Sequence, residues 1–124
     1  MAGKLVIDTL QDGSGNSTSA TNAIMGSAKA WVNFNGVTTA TIRASYNVSS
    51  VTRNATGDYT VNFTNALADA NYAATSIGPT NSGTGVLTML NATTAPTSSA
   101  VRIATQTPAG AFSDQTYVHV AIFR

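Results

Sequence analysis

Few side chains in this sequence can perform acid–base, nucleophilic or metal chemistry. His119 is the only histidine and cysteine is absent, so a histidine metal site or a Ser-His-Asp constellation has one conceivable centre and a thiolate site has none. Gly13-Ser14-Gly15 lacks the strand–loop–helix frame of a phosphate loop. The acids are five aspartates in turns or at segment ends, without the Asp-x-Asp spacing of a calcium loop: Asp8, Asp12, Asp58, Asp69 and Asp114. We therefore expect no enzyme activity, no cofactor and no bound metal.

The charge of the chain is unusually low. Charged residues make up 9% of the sequence, and the formal net charge is +1, whereas ordinary soluble domains carry roughly 25% charged residues. The six basic residues are scattered singly, which disfavours nucleic-acid binding: Lys4, Lys29, Arg43, Arg53, Arg102 and Arg124. No apolar stretch is long enough to cross a membrane, and residues 1–4 lack the apolar run of a signal peptide. Because few charges need desolvation when copies pack together, the composition predicts a subunit of a larger symmetric assembly.

The sequence predicts a series of short strands, and these would position any functional side chains. Apolar and polar residues alternate over residues 28–35, 41–48, 58–64 and 71–77, with turn chemistry between these stretches. Further strands are predicted at 84–90, 100–106 and 115–123, and residues 54–58 are expected to form a loop with Gly57 at positive φ. A count of about seven or eight closely spaced strands is typical of a sandwich or barrel. The predicted fold is all-β, an antiparallel β-sandwich (jelly-roll-like) domain over residues 23–124.

Residues 1–22 are predicted to form an N-terminal arm and a flexible tether. The apolar Leu5, Val6, Ile7 and Leu10 lie in a compact segment with strand propensity, and the segment 11–22 is rich in Gly, Ser, Thr and Asn. Residues 23–27 are expected to form a turn that leads into the first domain strand. Two interpretations of the apolar segment remain open: an extended arm that anchors the chain to another protein, or a first strand of the same sheet.

Trp31 and His119 are candidates for a subunit contact. If Ala30 and its alternate neighbours face the core, Trp31 faces outward together with Asn33. Trp31 would then fill a subunit interface or stack on a sugar, unless the sheet is covered on both sides and buries the ring. The pattern of the last strand places His119 on one face with Tyr117 and away from Val118 and Val120, as expected for a histidine within a sheet or an interface.

Several segments resemble a module of tailed-bacteriophage virion structural proteins of the tail-fibre type. The similarity includes residues 28–36, 42–51, 57–63 and 69–73, and residues 118–124 are similar to the module's ending, although His119 stands where a smaller or apolar residue is expected. The opening segment 3–10 also resembles short N-terminal segments of such fibres. The resemblance covers residues 3–77 and 117–124, while residues 78–116 match nothing in it. It implies a homotrimeric β-structure located in the virion, with other virion proteins and a host surface glycan or protein as partners.

Two functions remain open on this basis. In a tail fibre or spike, residues 3–10 would anchor the chain, and the loops at 78–84 and 92–99 would meet the host through Asn81, Ser82 and Thr84. In a capsid decoration (cement) protein, the arm would cross neighbouring capsid subunits, and the small size without a long shaft favours this alternative. A carbohydrate-binding accessory module is a third, weaker alternative. The copy number per particle separates the first two functions, because a cement protein is present in far more copies than a fibre.

Overall fold

A computed structural model describes residues 3–79, 86–91 and 93–124 of the chain. In this part of the chain, strands dominate and one short helix occurs. The elements, in chain order, are β1 (Thr9–Gln11), β2 (Ser17–Ser19), α1 (Ala20–Gly26), β3 (Ala28–Asn35), β4 (Thr41–Tyr46), β5 (Val48–Ala55), β6 (Asp58–Phe63), β7 (Ala73–Ile77), β8 (Leu87–Leu90), β9 (Ala100–Gln106) and β10 (Val118–Phe123).

Two four-stranded antiparallel sheets form the predicted β-sandwich. The first sheet has the order β4-β3-β10-β7, and the second sheet has the order β5-β6-β9-β8. Side chains from both sheets meet in one buried core, which includes Ala30, Val32, Phe34, Val51, Tyr59, Val61, Val101, Ile103, Val118, Val120 and Ile122. The sandwich is therefore confirmed. The strand order contains three local hairpins, namely β3-β4, β5-β6 and β8-β9, so the likeness to a jelly roll does not extend to the strand order.

The prediction over residues 41–48 is wrong at its end, and one strand of the sandwich was not predicted at all. Asn47 has a φ of 53°, and this left-handed residue stops β4 and turns the chain into the second sheet. Its side-chain amide donates to the carbonyls of Lys29 and Asn65, both at 3.1 Å. Val48 then begins β5, where a register irregularity between Val48 and Ser50 interrupts the alternation. The strand also takes in the start of the segment that the sequence suggested was a loop, whereas Gly57 has the predicted positive φ, at 63°.

The N-terminal segment has more regular structure than a tether. Strands β1 and β2 pair as a small hairpin separate from both large sheets, which leaves no place for β1 as a strand of the sandwich. The Asp12 carboxylate accepts hydrogen bonds from the backbone N–H groups of Ser14 and Asn16, at 2.9 and 3.0 Å, and so closes the hairpin loop. Residues 23–27, predicted to form a turn, mostly belong to α1, and the Ser19 hydroxyl caps this helix by accepting from the Asn22 N–H. We call residues 3–26 the N-terminal unit.

Candidate functional site

Two of the aspartates bind arginine side chains within the sandwich. Arg102 donates to Asp58 with N–O distances of 2.8 and 2.5 Å, and Arg124 donates to Asp69 at 2.9 and 2.5 Å. The hydrogen bonds from Arg102 lower the pKa of Asp58, and those from Arg124 lower the pKa of Asp69. Both carboxylates therefore act as ionised acceptors that hold segments of the fold together.

These pairs were not predicted from the sequence, although the strand register contains the signal for one of them. Asp58 lies opposite Ala104 and Thr60 lies opposite Arg102 in the β6–β9 pair. Asp58 and Arg102 are therefore diagonal neighbours on one face of the second sheet, within reach of a long side chain. This relationship becomes visible only when the register is known.

A third aspartate, Asp114, connects three groups at one end of the sandwich. It accepts hydrogen bonds from the Arg53 guanidinium (2.7 Å to Oδ2), the Gly57 N–H (2.8 Å) and the Tyr59 hydroxyl (2.9 Å). Burial opposes ionisation of Asp114, but these donors outweigh it and lower its pKa. Burial, together with the hydrogen bond to Asp114, raises the pKa of Tyr59 to about 12. The network holds the fold together, and among the described residues no buried side-chain nitrogen or oxygen lacks a hydrogen-bond partner.

Potential metal ligands do not cluster in the described part of the chain. Among these residues no group of three or more His, Asp or Glu side chains is positioned to hold an ion. Within the same ranges, no helix has the length and apolar character that crossing a membrane requires.

Trp31 and His119 lie on the exposed side of the first sheet, which we call the outer face. The β3–β10 register pairs Trp31 with Ala121 and Asn33 with His119, so the two candidate residues are diagonal neighbours on adjacent strands. A depression of about 440 Å³ occupies this side, and its lining includes Trp31, Asn33, Ala44, Thr75, His119 and Ala121. The structure therefore brings together the two residues that the sequence analysis proposed for a contact.

The outer face exposes several aromatic rings. Trp31 is 41% exposed, so the interpretation in which a doubly covered sheet buries this ring is wrong for the single chain. Tyr46 lies directly opposite Trp31 on β4 and is also exposed. Further along the face, the Arg43 guanidinium sits 4.4 Å from the centre of the exposed Tyr117 ring, a cation–π contact.

A second candidate site is the apolar surface of the N-terminal unit. Leu5 and Val6 are 79% and 78% exposed, and the other two anchor candidates, Ile7 and Leu10, are exposed as well. The same unit exposes Ile24 and Met25 on α1, which were not predicted as anchor residues because a turn was expected at residues 23–27. No residue of the unit is buried. The unit therefore presents apolar side chains without a core of its own.

The proposed receptor-facing residues Asn81, Ser82 and Thr84 lie outside the described residues. The fold and its surfaces define a charge-poor β-sandwich with two exposed apolar or aromatic surfaces. Comparisons with protein-family models, with curated proteins and with solved structures find no match to this chain.

Proposed function

We propose that this protein is a structural protein of a bacteriophage virion, a homotrimeric component of a tail fibre or spike that contacts the host surface. In this proposal the N-terminal unit attaches the sandwich to its neighbours in the particle. The observation that carries the proposal is the exposure of Leu5, Val6, Leu10, Ile24 and Met25 on a unit that contributes nothing to the buried core. The phage origin and the trimer come from the resemblance of the sequence segments to tail-fibre modules.

The energetics favour burial of the N-terminal unit against another chain. A large apolar side chain gains roughly 1.5–3 kcal/mol when it moves from water to a fully buried position. Several such side chains are exposed together within the 24 residues of the unit, so partial burial of the group would stabilise an assembly substantially. Because the sandwich core is complete without these residues, a neighbouring chain is the natural source of that burial.

The distribution of charge supports close packing in an assembly. Three of the six basic residues, namely Arg53, Arg102 and Arg124, are bound to three of the five aspartates within the same chain. Two of the remaining bases also have local partners. Arg43 lies over Tyr117, and the Lys29 ammonium donates to the Ile24 carbonyl and to the Ser27 hydroxyl at 2.8 Å. Few charges would therefore lose water without compensation when copies of the chain pack together.

A capsid decoration (cement) role is the second candidate. The N-terminal unit exposes apolar side chains both before β1 and on α1, and this arrangement suits a segment that lies across neighbouring capsid subunits. The two candidates use the same anchor and differ in where the particle holds it.

The test is the copy number of this chain in purified particles, measured by quantitative mass spectrometry with labelled internal peptides. A fibre or spike predicts tens of copies at most, whereas a cement protein predicts hundreds. A virion map with the chain traced would then show whether residues 3–26 contact a neighbouring chain. Absence of the chain from purified particles would overturn both candidates.

A further inference from the structure

We infer that the outer face of the first sheet is a binding site for a neutral oligosaccharide, with Trp31 as the stacking group and Asn33 and His119 as hydrogen-bonding groups. The inference deepens the proposed function, on which it rests only for the biological source of the sugar, a host surface.

The side chains of the outer face match the two kinds of surface that a sugar presents. A pyranose ring has an apolar C–H face, which packs on an exposed aromatic ring, and a rim of hydroxyls, which need hydrogen-bond partners. Trp31 supplies an exposed ring, with Tyr46 directly opposite it on the neighbouring strand. Asn33, Thr75 and His119 line the same depression and supply polar groups.

The polar groups around the depression are available to a ligand. Within the described residues, neither the indole N–H of Trp31 nor the imidazole of His119 has a hydrogen-bond partner. The Asn33 side chain there makes one long contact, in which Arg43 donates to its Oδ1 at 3.5 Å. These groups can therefore exchange water for sugar hydroxyls without breaking strong bonds within the protein.

The charge of the face favours a neutral ligand over an acidic one. Among the residues that line the depression, none is an aspartate, a lysine or an arginine. Arg43 lies beside the depression, where it donates to Asn33 Oδ1 at 3.5 Å, and its guanidinium is held over the Tyr117 ring at 4.4 Å. A phosphate or a polysialic chain would find little charge to bind, whereas a neutral sugar needs none.

The size of the face favours a small ligand over a second copy of the protein. Four strands about 4.8 Å apart and about six residues long, at roughly 3.4 Å per residue, give a flat area of roughly 400 Å². A stable protein–protein interface buries about 800 Å² on each partner, so this face alone is too small to hold another copy. The depression of about 440 Å³ lies within the range of about 300–1,000 Å³ that is usual for ligand pockets, which suits an oligosaccharide of a few rings.

The experiment is an NMR titration of the full chain with three neutral trisaccharides: chitotriose, cellotriose and mannotriose. We expect at least one of them to shift the amide signals of Trp31, Thr75 and His119 saturably, with a Kd in the millimolar range. Trp31→Ala should weaken this binding at least about tenfold, which corresponds to the loss of roughly 1.4 kcal/mol. His119→Ala, a second variant at an exposed position, should weaken it by a smaller factor.

Phe112→Ala is the matched control, because Phe112 is an exposed aromatic residue that does not line the depression. It should leave the titration unchanged. The inference is overturned if no trisaccharide shifts these signals at about 20 mM, well above a millimolar Kd, or if the shifts fall elsewhere on the molecule. It is also overturned if the same signals respond to protein concentration alone, which would assign the face to a second copy. Failure here leaves the copy number in particles unaffected, so it is distinguishable from failure of the proposed function.

Discussion

The hydroxyl of Tyr59 donates a hydrogen bond of 2.9 Å to Oδ1 of Asp114, although 55 positions separate the two residues. Tyr59 lies in β6 of the second sheet, whereas Asp114 lies in the connection that leads to β10 of the first sheet. The ring of Tyr59 also packs edge-on against Phe34 of β3, with 5.1 Å between ring centres. This pair therefore joins the two layers of the sandwich at one end.

Removal of the carboxylate should destabilise the sandwich strongly. Asp114→Ala leaves Arg53, the Gly57 N–H and the Tyr59 hydroxyl without their shared acceptor, and we expect a loss of about 2–4 kcal/mol in the free energy of unfolding. Urea denaturation followed by circular dichroism measures this loss. The control is Asp12→Ala, since Asp12 is bonded only within the hairpin loop of the N-terminal unit. A change below about 0.5 kcal/mol for Asp114→Ala would contradict the assigned role.

The stability of the protein should fall at high pH through Tyr59. Its pKa of about 12 in the folded state lies above the ordinary value of 10.0. The raised pKa means that the folded state favours the neutral hydroxyl, so the contribution is fully present below pH 10 and is lost as the pH rises from 10 to 12. The expected size is on the order of 2 kcal/mol.

Urea denaturation at stepped pH values measures the effect of Tyr59. Tyr59→Phe should be less stable at neutral pH but should lose less stability than the wild type on going from pH 10 to 12. Tyr46→Phe, which changes an exposed ring, should follow the wild-type curve. Equal alkaline slopes for the wild type and Tyr59→Phe would rule this assignment out.

Two glycines at positive φ allow steric clash to be separated from backbone strain. A Cβ at Gly57 would lie 2.4 Å from the Thr105 carbonyl oxygen and 2.6 Å from the Ser113 nitrogen, whereas one at Gly110 would meet nothing within 4 Å. Both positions require the left-handed conformation, at φ of 63° and 84°. Gly110→Ala should therefore cost about 1–2 kcal/mol, and Gly57→Ala should cost considerably more. Similar melting temperatures for the two variants would show that the chain relaxes around Gly57 without penalty.

Deletion of residues 1–27 should leave a folded sandwich that no longer enters particles. The buried core begins at Ala30 and receives no side chain from the N-terminal unit, so we expect the melting temperature to change by only a few degrees. The same deletion should abolish incorporation, measured by mass spectrometry of purified particles. A truncated chain that fails to fold would instead make the unit an integral part of the domain.

The intact chain should form trimers in solution. Sedimentation velocity at micromolar concentration is expected to give the mass of three chains, and the paired substitutions Leu5→Ser and Val6→Ser should shift this equilibrium toward monomer. Leu87→Ser is the control, because Leu87 is also an exposed leucine but lies in the second sheet, outside the N-terminal unit. A stable monomer for the intact chain would refute the trimer.

The sequence predicted the strands that alternate regularly and missed the elements that do not. For β3 and β9 the predicted bounds match the structure, and the outward placement of Trp31 follows from the alternation in β3. The predicted strand at 84–90 is described only from Leu87 to Leu90, and residues 84 and 85 lie outside the described residues. The strand β5 was missed because a register irregularity spaces its buried residues Val48 and Val51 three apart, and period-two analysis cannot detect such spacing.

The sites were predictable to a lesser degree than the strands. The grouping of Trp31 with His119 was anticipated as a shared contact, but their adjacency depends on the pairing of β3 with β10, which are separated by most of the chain. The arginine–aspartate pairs were not anticipated, because each depends on a long-range register or on a loop conformation. The helix α1 buries no side chain, so it leaves no hydrophobic period in the sequence.

The central position of β10 has a consequence for how the protein is made. The first sheet places β10 between β3 and β7, so each of these two strands lacks its partner on one side until residues 118–123 are present. During synthesis on the ribosome, one strand edge of the β3–β4 hairpin therefore stays open while residues 47–117 are translated. Open edges of this kind pair readily with other chains, and long-range strand pairing is slow. Nascent copies on neighbouring ribosomes would consequently be most exposed to aggregation just before β10 emerges, and slower translation of the preceding segment would prolong that interval.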